Sequence, residues 1–285
     1  MANTTVIGLL HPGEMGAAVG QCLTGAGHTV LWASEGRGPE TAARARAALL
    51  TDTGTAAEMA ERADVIFSVC PPHAALDTAW VVQGFGGLYV DANAISPATA
   101  REVALMVEEG GATYVDGGII GLPPARPGGT RLYLSGAQAG AVRSLFDGTA
   151  LDARVVEGGT WSASAVKMAY ASWTKGSSAL LLAARALARA EGVEDTLMGE
   201  WALSQPSLAD RSRAATRAAT AKGWRWVGEM EEIASTMASA GLPDGFHQAA
   251  AEIFRRSPRE APTGSPDDKA VDALLAALTG DPARD

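Results

Sequence analysis

The chain has 285 residues, 47% of them apolar and 19% charged, with a formal net charge of −9. That length holds two ordinary domains with a core each, and the acidic balance argues against a general binder of nucleic acid or of anionic membranes. Two cysteines, Cys22 and Cys70, read as reduced core thiols, and the absence of CxxC or HExxH spacing predicts no metal site.

In chain order, short apolar or β-branched runs predict strands at Thr5–Leu10, Thr29–Trp32, Val65–Val69, Leu88–Asp91, Thr113–Asp116, Arg131–Leu134 and Arg154–Val156. Alanine-rich stretches with helical spacing lie between them at Met15–Ala26, Pro39–Leu50, Thr55–Arg62, Pro97–Glu109 and Ala139–Asp147. This alternation, with strands apolar throughout, predicts an α/β fold: a doubly wound parallel sheet of Rossmann type over residues 1–160. Ligands on such sheets bind outside the carboxyl ends of the strands. The residues that follow each strand are therefore the candidates.

The first of these segments, Val6-Ile7-Gly8-Leu9-Leu10-His11-Pro12-Gly13-Glu14-Met15-Gly16, runs from strand through a glycine turn into a helix. Backbone N–H groups and the positive end of a helix dipole suit a dinucleotide pyrophosphate there. Four residues separate Gly8 from Gly13, which predicts a lengthened first turn. Gly8, Leu10, His11, Pro12, Gly13, Glu14 and Met15 are the expected cofactor contacts; a tight turn with no ligand is the plain alternative. After the second strand come Ser34, Glu35 and Arg37. A hydroxyl and an arginine suit the 2′-phosphate of NADP, whereas Glu35 suits the free ribose hydroxyl of NAD or simply solvent. NADP is the expected cofactor.

Val69, Cys70, Pro71 and Pro72 form a stiff wall for the cofactor after the next strand, with His73 read as surface. Asn93 can donate and accept beside a carboxamide or a substrate hydroxyl, and Ser96-Pro97 reads as a helix cap followed by proline at the first helical position. The last loop of this kind, Tyr114–Pro124, carries Gly117-Gly118, which admit a ligand closely or merely make a turn.

From 161 to 285 helical periodicity takes over, predicting an all-α second domain. The long helix Ser162–Glu191 puts Lys167, Tyr170, Ala171 and Thr174 on one stripe. A lysine held in a cleft loses solvation and becomes suited to acid–base work. Lys175, on a neighbouring face, reads as a solvated helix lysine. Ser207–Ala221, Trp224–Ala240 and Gly245–Arg256 read as amphipathic helices, with Trp224, Trp226, Met230 and Met237 in a core or interface. Ser257–Ser265 reads as a linker, and Ser265–Asp268 as the cap of a last helix bearing Val271, Leu274, Leu275 and Leu278. No basic-then-apolar leader opens the sequence, and Arg185 and Arg189 interrupt the Ala/Leu-rich run Ser178–Ala190 short of a membrane span. The expectation is a soluble, cytoplasmic protein.

On these residues the chain resembles the β-hydroxyacid dehydrogenase superfamily, which includes 3-hydroxyisobutyrate and 6-phosphogluconate dehydrogenases and has the imine reductases as close relatives. The likeness rests on the glycine loop, Pro71-Pro72, Asn93–Pro97, Gly117-Gly118 and Lys167 in its Gly/Ser-rich helix entry, in order along nearly the whole chain. The runs Ser164-Ala165-Val166-Lys167-Met168-Ala169-Tyr170-Ala171 and Gly228-Glu229-Met230-Glu231-Glu232-Ile233-Ala234 are similar to its bacterial 6-phosphogluconate-dehydrogenase-like branch. The resemblance implies an NADP(H)-dependent oxidoreductase with Lys167 as general acid/base, Asn93 and Tyr170 near the reacting group, and Gly118, Ile119, Ile120 and Gly121 at the substrate. It also implies a small-molecule substrate and a homodimer with interlocked helical domains.

Imine reductases generally lack the lysine, so Lys167 favours a hydroxyl/carbonyl couple. Imine or iminium reduction with NADPH, and a non-catalytic protein that senses NADP(H), are the competing readings. Two positions depart from the family pattern: where the family has a serine before its glycine pair, Ile120 precedes Gly121 and the pair falls earlier, and Tyr170 replaces an asparagine three residues after the lysine. Both belong to the groups that grip a carboxylate and hydroxyl, which implies a bulkier or less anionic substrate. Tyr170 either bonds the reacting oxygen or packs.

Overall fold

The computed structural model describes residues 4–258 and 268–279, and it divides into two compact units, Met1–Met168 and Ala169–Asp285. In the first unit the described strands are β1 (Val6–Leu10), β2 (Thr29–Trp32), β3 (Thr51–Asp52), β4 (Val65–Ser68), β5 (Leu88–Asp91), β6 (Thr113–Ile120), β7 (Thr130–Ser135) and β8 (Leu151–Val155). They form one sheet in the order β3-β2-β1-β4-β5-β6-β7-β8. Its helices are α1 (Glu14–Gly25), α2 (Pro39–Ala47), α3 (Ala56–Arg62), α4 (Ala75–Trp80), α5 (Pro97–Glu109) and α6 (Ala139–Ser144).

The strands lack a polar/apolar alternation because both faces of the sheet are covered. Ile7, Leu9, Phe67 and Val90 enter one buried cluster, while Leu10, Leu31, Ile66 and Tyr89 enter the other. Local caps set the helix starts. Thr55 and Glu58 close a reciprocal capping box on α3, and the Ser96 hydroxyl accepts from Thr99 N–H at 3.1 Å ahead of Pro97.

The expectation of a purely parallel sheet is corrected at one step: β6 and β7 pair antiparallel. The chain between them, residues 121–129, is too short for the crossover that a parallel partner needs. The short elements β3 and α4 escaped the sequence reading, since so few residues carry no periodicity.

Register sets up the functional end. Leu10, Ser68, Asp91, Asp116 and Ser135 stand in one row across five strands. Past this row β1, β4 and β5 open into loops, whereas β6 continues to Ile120.

A long helix, α7 (Ser162–Ala190), begins in the first unit and continues into the second, which adds α8 (Glu194–Ser204), α9 (Leu208–Ser239), α10 (Gly245–Arg256) and α11 (Asp268–Thr279). The two helices expected at Ser207–Ala221 and Trp224–Ala240 are one, and Gly223 inside it packs closely on Ser257 instead of breaking the helix. Leu274, Leu275 and Leu278 of α11 are buried; of the expected linker Ser257–Ser265 and cap Ser265–Asp268, residues 259–267 lie outside the described residues.

Lys175 is not solvated as its helical position suggested. Its ammonium lies 2.6 Å from Glu229 Oε2 on α9 and 5.8 Å from the Trp226 ring, so its charge is paired inside the second unit. Arg185 and Arg189 likewise meet Glu194 at 2.6 and 2.7 Å. No helix among the described residues is long and apolar enough to cross a membrane.

Candidate active site

The turn after β1 corrects the sequence reading. Gly8 is not part of a lengthened loop: it lies within β1, where an added Cβ would meet Ile66 and Met59 side chains at 3.1 Å. Leu10 ends the same strand and is buried. The turn begins at His11, whose φ of 66° puts it in the left-handed region. His11 thus occupies the place of the first glycine in a dinucleotide turn, followed by Gly13 and Gly16 at the usual spacing.

The two glycines do different jobs. A Cβ on Gly16 would lie 2.4 Å from the His11 carbonyl oxygen, so this glycine lets the turn cross the helix start. A Cβ on Gly13 would meet nothing within 4 Å. The packing itself does not demand glycine there, and the open side leaves room for a ligand to approach the backbone. Gly13 caps α1 with extended backbone and no side-chain hydrogen bond, so the positive end of the α1 dipole lies at this turn. Pro12 is buried, and its carbonyl accepts from Arg44 Nε at 3.3 Å. Met15 packs against the core, while Glu14 is exposed on the first turn.

After β2, Ser34 to Arg37 form a tight turn in which Arg37 N–H donates to the Ser34 carbonyl at 3.0 Å and Gly36 has φ 68°. Glu35 is exposed. Asp52, at the end of β3, was not foreseen from sequence. Burial, the largest single influence, raises its carboxyl, but the hydrogen bonds from Gly54 N–H and Ser34 together outweigh it and hold the group below its usual range. Arg37 reaches far enough to act electrostatically on both His11 and Cys70.

Asn93 is held by bonds that the sequence did not foretell. It is buried, accepts from Cys70 N–H at 2.6 Å and donates to Ser68 Oγ at 2.9 Å, tying the loops after β4 and β5 together. These bonds make it a clamp for the wall of Val69, Cys70, Pro71 and Pro72. Burial pushes the Cys70 thiol up to about 11, which keeps it protonated and unreactive.

The glycine pair is not a loop. Gly117, Gly118, Ile119 and Ile120 extend β6, and only Gly121 leaves it. A Cβ on Gly117 would lie 2.7 Å from the Asp91 carbonyl oxygen. One on Gly118 would lie 2.9 Å from Lys167 Cβ and 3.0 Å from the Ala163 carbonyl oxygen. The missing side chain at 118 is filled by α7 rather than left to a ligand. This close approach seats half-buried Lys167 against β6, two residues beyond the row where the neighbouring β5 ends.

The start of α7 is fastened by Asp116, a residue that sequence reasoning passed over. Its carboxylate accepts from Ser164 N–H at 2.9 Å, from Ser164 Oγ and from Ser135 Oγ; Ser135 Oγ also accepts from Ala163 N–H at 2.9 Å. Burial pushes Asp116 up, against the pull of these donors. An acidic residue in an otherwise apolar strand was the available signal. Tyr170 lies one turn beyond Lys167 along α7, in the second unit, and is half exposed.

Residues 3–169 match the family described as the NAD binding domain of 6-phosphogluconate dehydrogenase, which is more than half of the chain. The chain belongs to the β-hydroxyacid dehydrogenase superfamily. Residues 188–257 match a domain family of unknown function. Among solved structures, a conserved protein of unknown function with structural similarity to 3-hydroxyacid dehydrogenases is 27% identical, with a TM-score of 0.67 over 95% of this chain and 99% of its own. A 3-hydroxyisobutyrate dehydrogenase from Mycobacterium tuberculosis with L-serine is 18% identical, with a TM-score of 0.69 over 97% and 99%. A reductive aminase from Aspergillus terreus with NADPH, cyclohexanone and allyl amine is 20% identical, with a TM-score of 0.56 over 89% and 93%. No curated protein matches the chain.

The nicotinamide dinucleotide that this superfamily uses fits the first unit. The start of α1 and the open side of Gly13 suit its phosphates, and the Asn93-clamped wall follows β4, the strand next to β1. Lys167, beside β6, has the chemistry of a proton donor. Among the described residues no cluster of His, Cys, Asp and Glu could hold a metal ion.

Proposed function

We propose that this protein is an NADP(H)-dependent dehydrogenase/reductase that interconverts a hydroxyl and a carbonyl, with Lys167 as general acid/base. The observation that carries the proposal is the seating of Lys167 by Gly118 on β6, beyond the carboxyl ends of the strands that carry the glycine turn and the Asn93 clamp. When bound, the nicotinamide supplies or accepts the hydride. The chain's part is proton transfer and positioning. Lys167 gives its proton to the carbonyl oxygen in reduction and takes it from the hydroxyl in oxidation. Asp116 and Ser135 hold the first turn of α7, so that the lysine stem starts from a fixed place.

Arg37 supports a preference for NADP(H), since a guanidinium binds a phosphate monoester strongly. Of the acidic groups at that turn, Glu35 is exposed and Asp52 is occupied by Gly54 N–H and Ser34. Ile120, buried at the position where relatives carry a serine, supports a bulky, weakly charged substrate. In the second unit Trp173, Leu180 and Leu187 recur every seven residues along α7 and are 69%, 56% and 63% exposed. Trp173 and Leu180 also border an apolar cavity of about 560 Å³. Such a stripe supports a homodimer formed through the helical units, and sedimentation is expected to give twice the chain mass. Two free thiols, Cys22 and Cys70, suit a cytoplasmic location.

The test is NADPH oxidation against keto acids, neutral keto esters, ketones and cyclic imines, with NADPH and NADH titrated separately. Turnover of neutral carbonyls with tighter NADPH binding is expected. Turnover of imines alone moves the assignment to imine reduction. Tight binding with no turnover on any substrate leaves an NADP(H) sensor.

A further inference from the structure

His11 stands where a dinucleotide turn ordinarily has a glycine, in left-handed backbone that glycine adopts without steric cost. Its ring adds a second expense, because Nδ1 is buried with no hydrogen-bond partner. The turn needs the left-handed backbone but not the imidazole: the Gly13 N–H donates to the His11 carbonyl at 2.7 Å, a backbone contact that any residue at 11 could make. A strained backbone combined with an unmet polar atom is characteristic of a residue kept for a ligand.

Its surroundings indicate which ligand. Arg37 lies in the turn after β2, the strand paired with β1, where its charge acts on the imidazole, and Arg44 ties down the adjacent Pro12 carbonyl. Burial first, and the Arg37 charge second, hold the imidazole down to about 4, so the ring is neutral at pH 7. An anion placed between the ring and the guanidinium would reverse both effects, accepting a ring N–H and neutralising the arginine. The turn after β2 faces the adenosine ribose of a dinucleotide, and the anion that distinguishes the two nicotinamide cofactors there is the 2′-phosphate.

We propose that His11 and Arg37 together grip the adenosine 2′-phosphate, which makes His11 a residue that selects NADP(H) over NAD(H). This rests on the NADP(H) reading of the site and adds the second half of its phosphate clamp.

The experiment titrates NADPH and NADH by fluorescence into the full-length protein and into His11→Gly, Arg37→Ala and the double variant, alongside thermal melts of each cofactor-free protein. His11→Gly is expected to melt no lower than the parent, because glycine relieves the turn. It should nevertheless bind NADPH about 10-fold more weakly, with NADH affinity retained. The double variant should lose less than the product of the two single losses, since both residues hold one group. An unchanged NADPH affinity in His11→Gly, or equal weakening of both cofactors, overturns the proposal. If Arg37→Ala weakens NADPH while His11→Gly does not, His11 alone is dismissed. A parent that shows no preference for NADPH removes the cofactor reading beneath it.

Discussion

Replacing Lys167 by alanine is expected to lower kcat by roughly 10²–10⁴, the usual range for losing a positioned general acid or base. That corresponds to about 2.7–5.4 kcal/mol of transition-state stabilisation. NADPH affinity should hardly change. Lys167 sits against β6, three strand steps from β1 and its glycine turn, roughly 14 Å across the sheet. Lys167→Met is the informative companion: it keeps the stem that packs on Gly118 but has no ammonium group. Both variants should fall together in kcat, measured by steady-state kinetics with NADPH saturating. If Lys167→Met turns over like the parent, the proton comes from elsewhere and the assigned role is wrong.

The second large effect is expected at Gly118. A valine there would place its Cβ 2.9 Å from Lys167 Cβ and 3.0 Å from the Ala163 carbonyl oxygen, before its two methyl groups are counted. Ala163 cannot yield easily. Its N–H is bound to Ser135 Oγ, and the next residue is bound to Asp116. The overpacking should cost about 1–3 kcal/mol and lower Tm by about 2–4 °C for each kcal/mol. Because α7 must move off β6, kcat should drop well beyond what the stability change explains, while NADPH still binds the intact α1 turn. Melting curves and kcat measured on one preparation separate the two effects. A Gly118→Val protein with parental kcat would show that the placement of α7 does not govern turnover.

Much of this site could be read from residues in order. The apolar runs, the helix caps at Ser96 and Thr55, the glycine turn and the lysine on a helix are local patterns, set by propensity and spacing within a few residues. The errors share one physical origin. Gly8 and Gly13 look alike in sequence, yet one is pinned by Met59 and Ile66 from distant segments and the other is open. In the same way, the bonds that hold Asn93 run to Cys70 and Ser68, 23 and 25 residues away, where no local pattern could foretell them.

By itself, then, the amino-acid order determined the alternation of strands and helices, the dinucleotide turn and the all-helical second half, because each depends on near neighbours. Only the tertiary structure decided that β6 runs on through the glycine pair, that Asp116 fastens α7 from 48 residues away, and that Lys175 is paired with Glu229. Those outcomes depend on which strands and helices become adjacent and in what register. Adjacency of that kind is settled by packing the whole unit, and leaves no mark in any short stretch of chain.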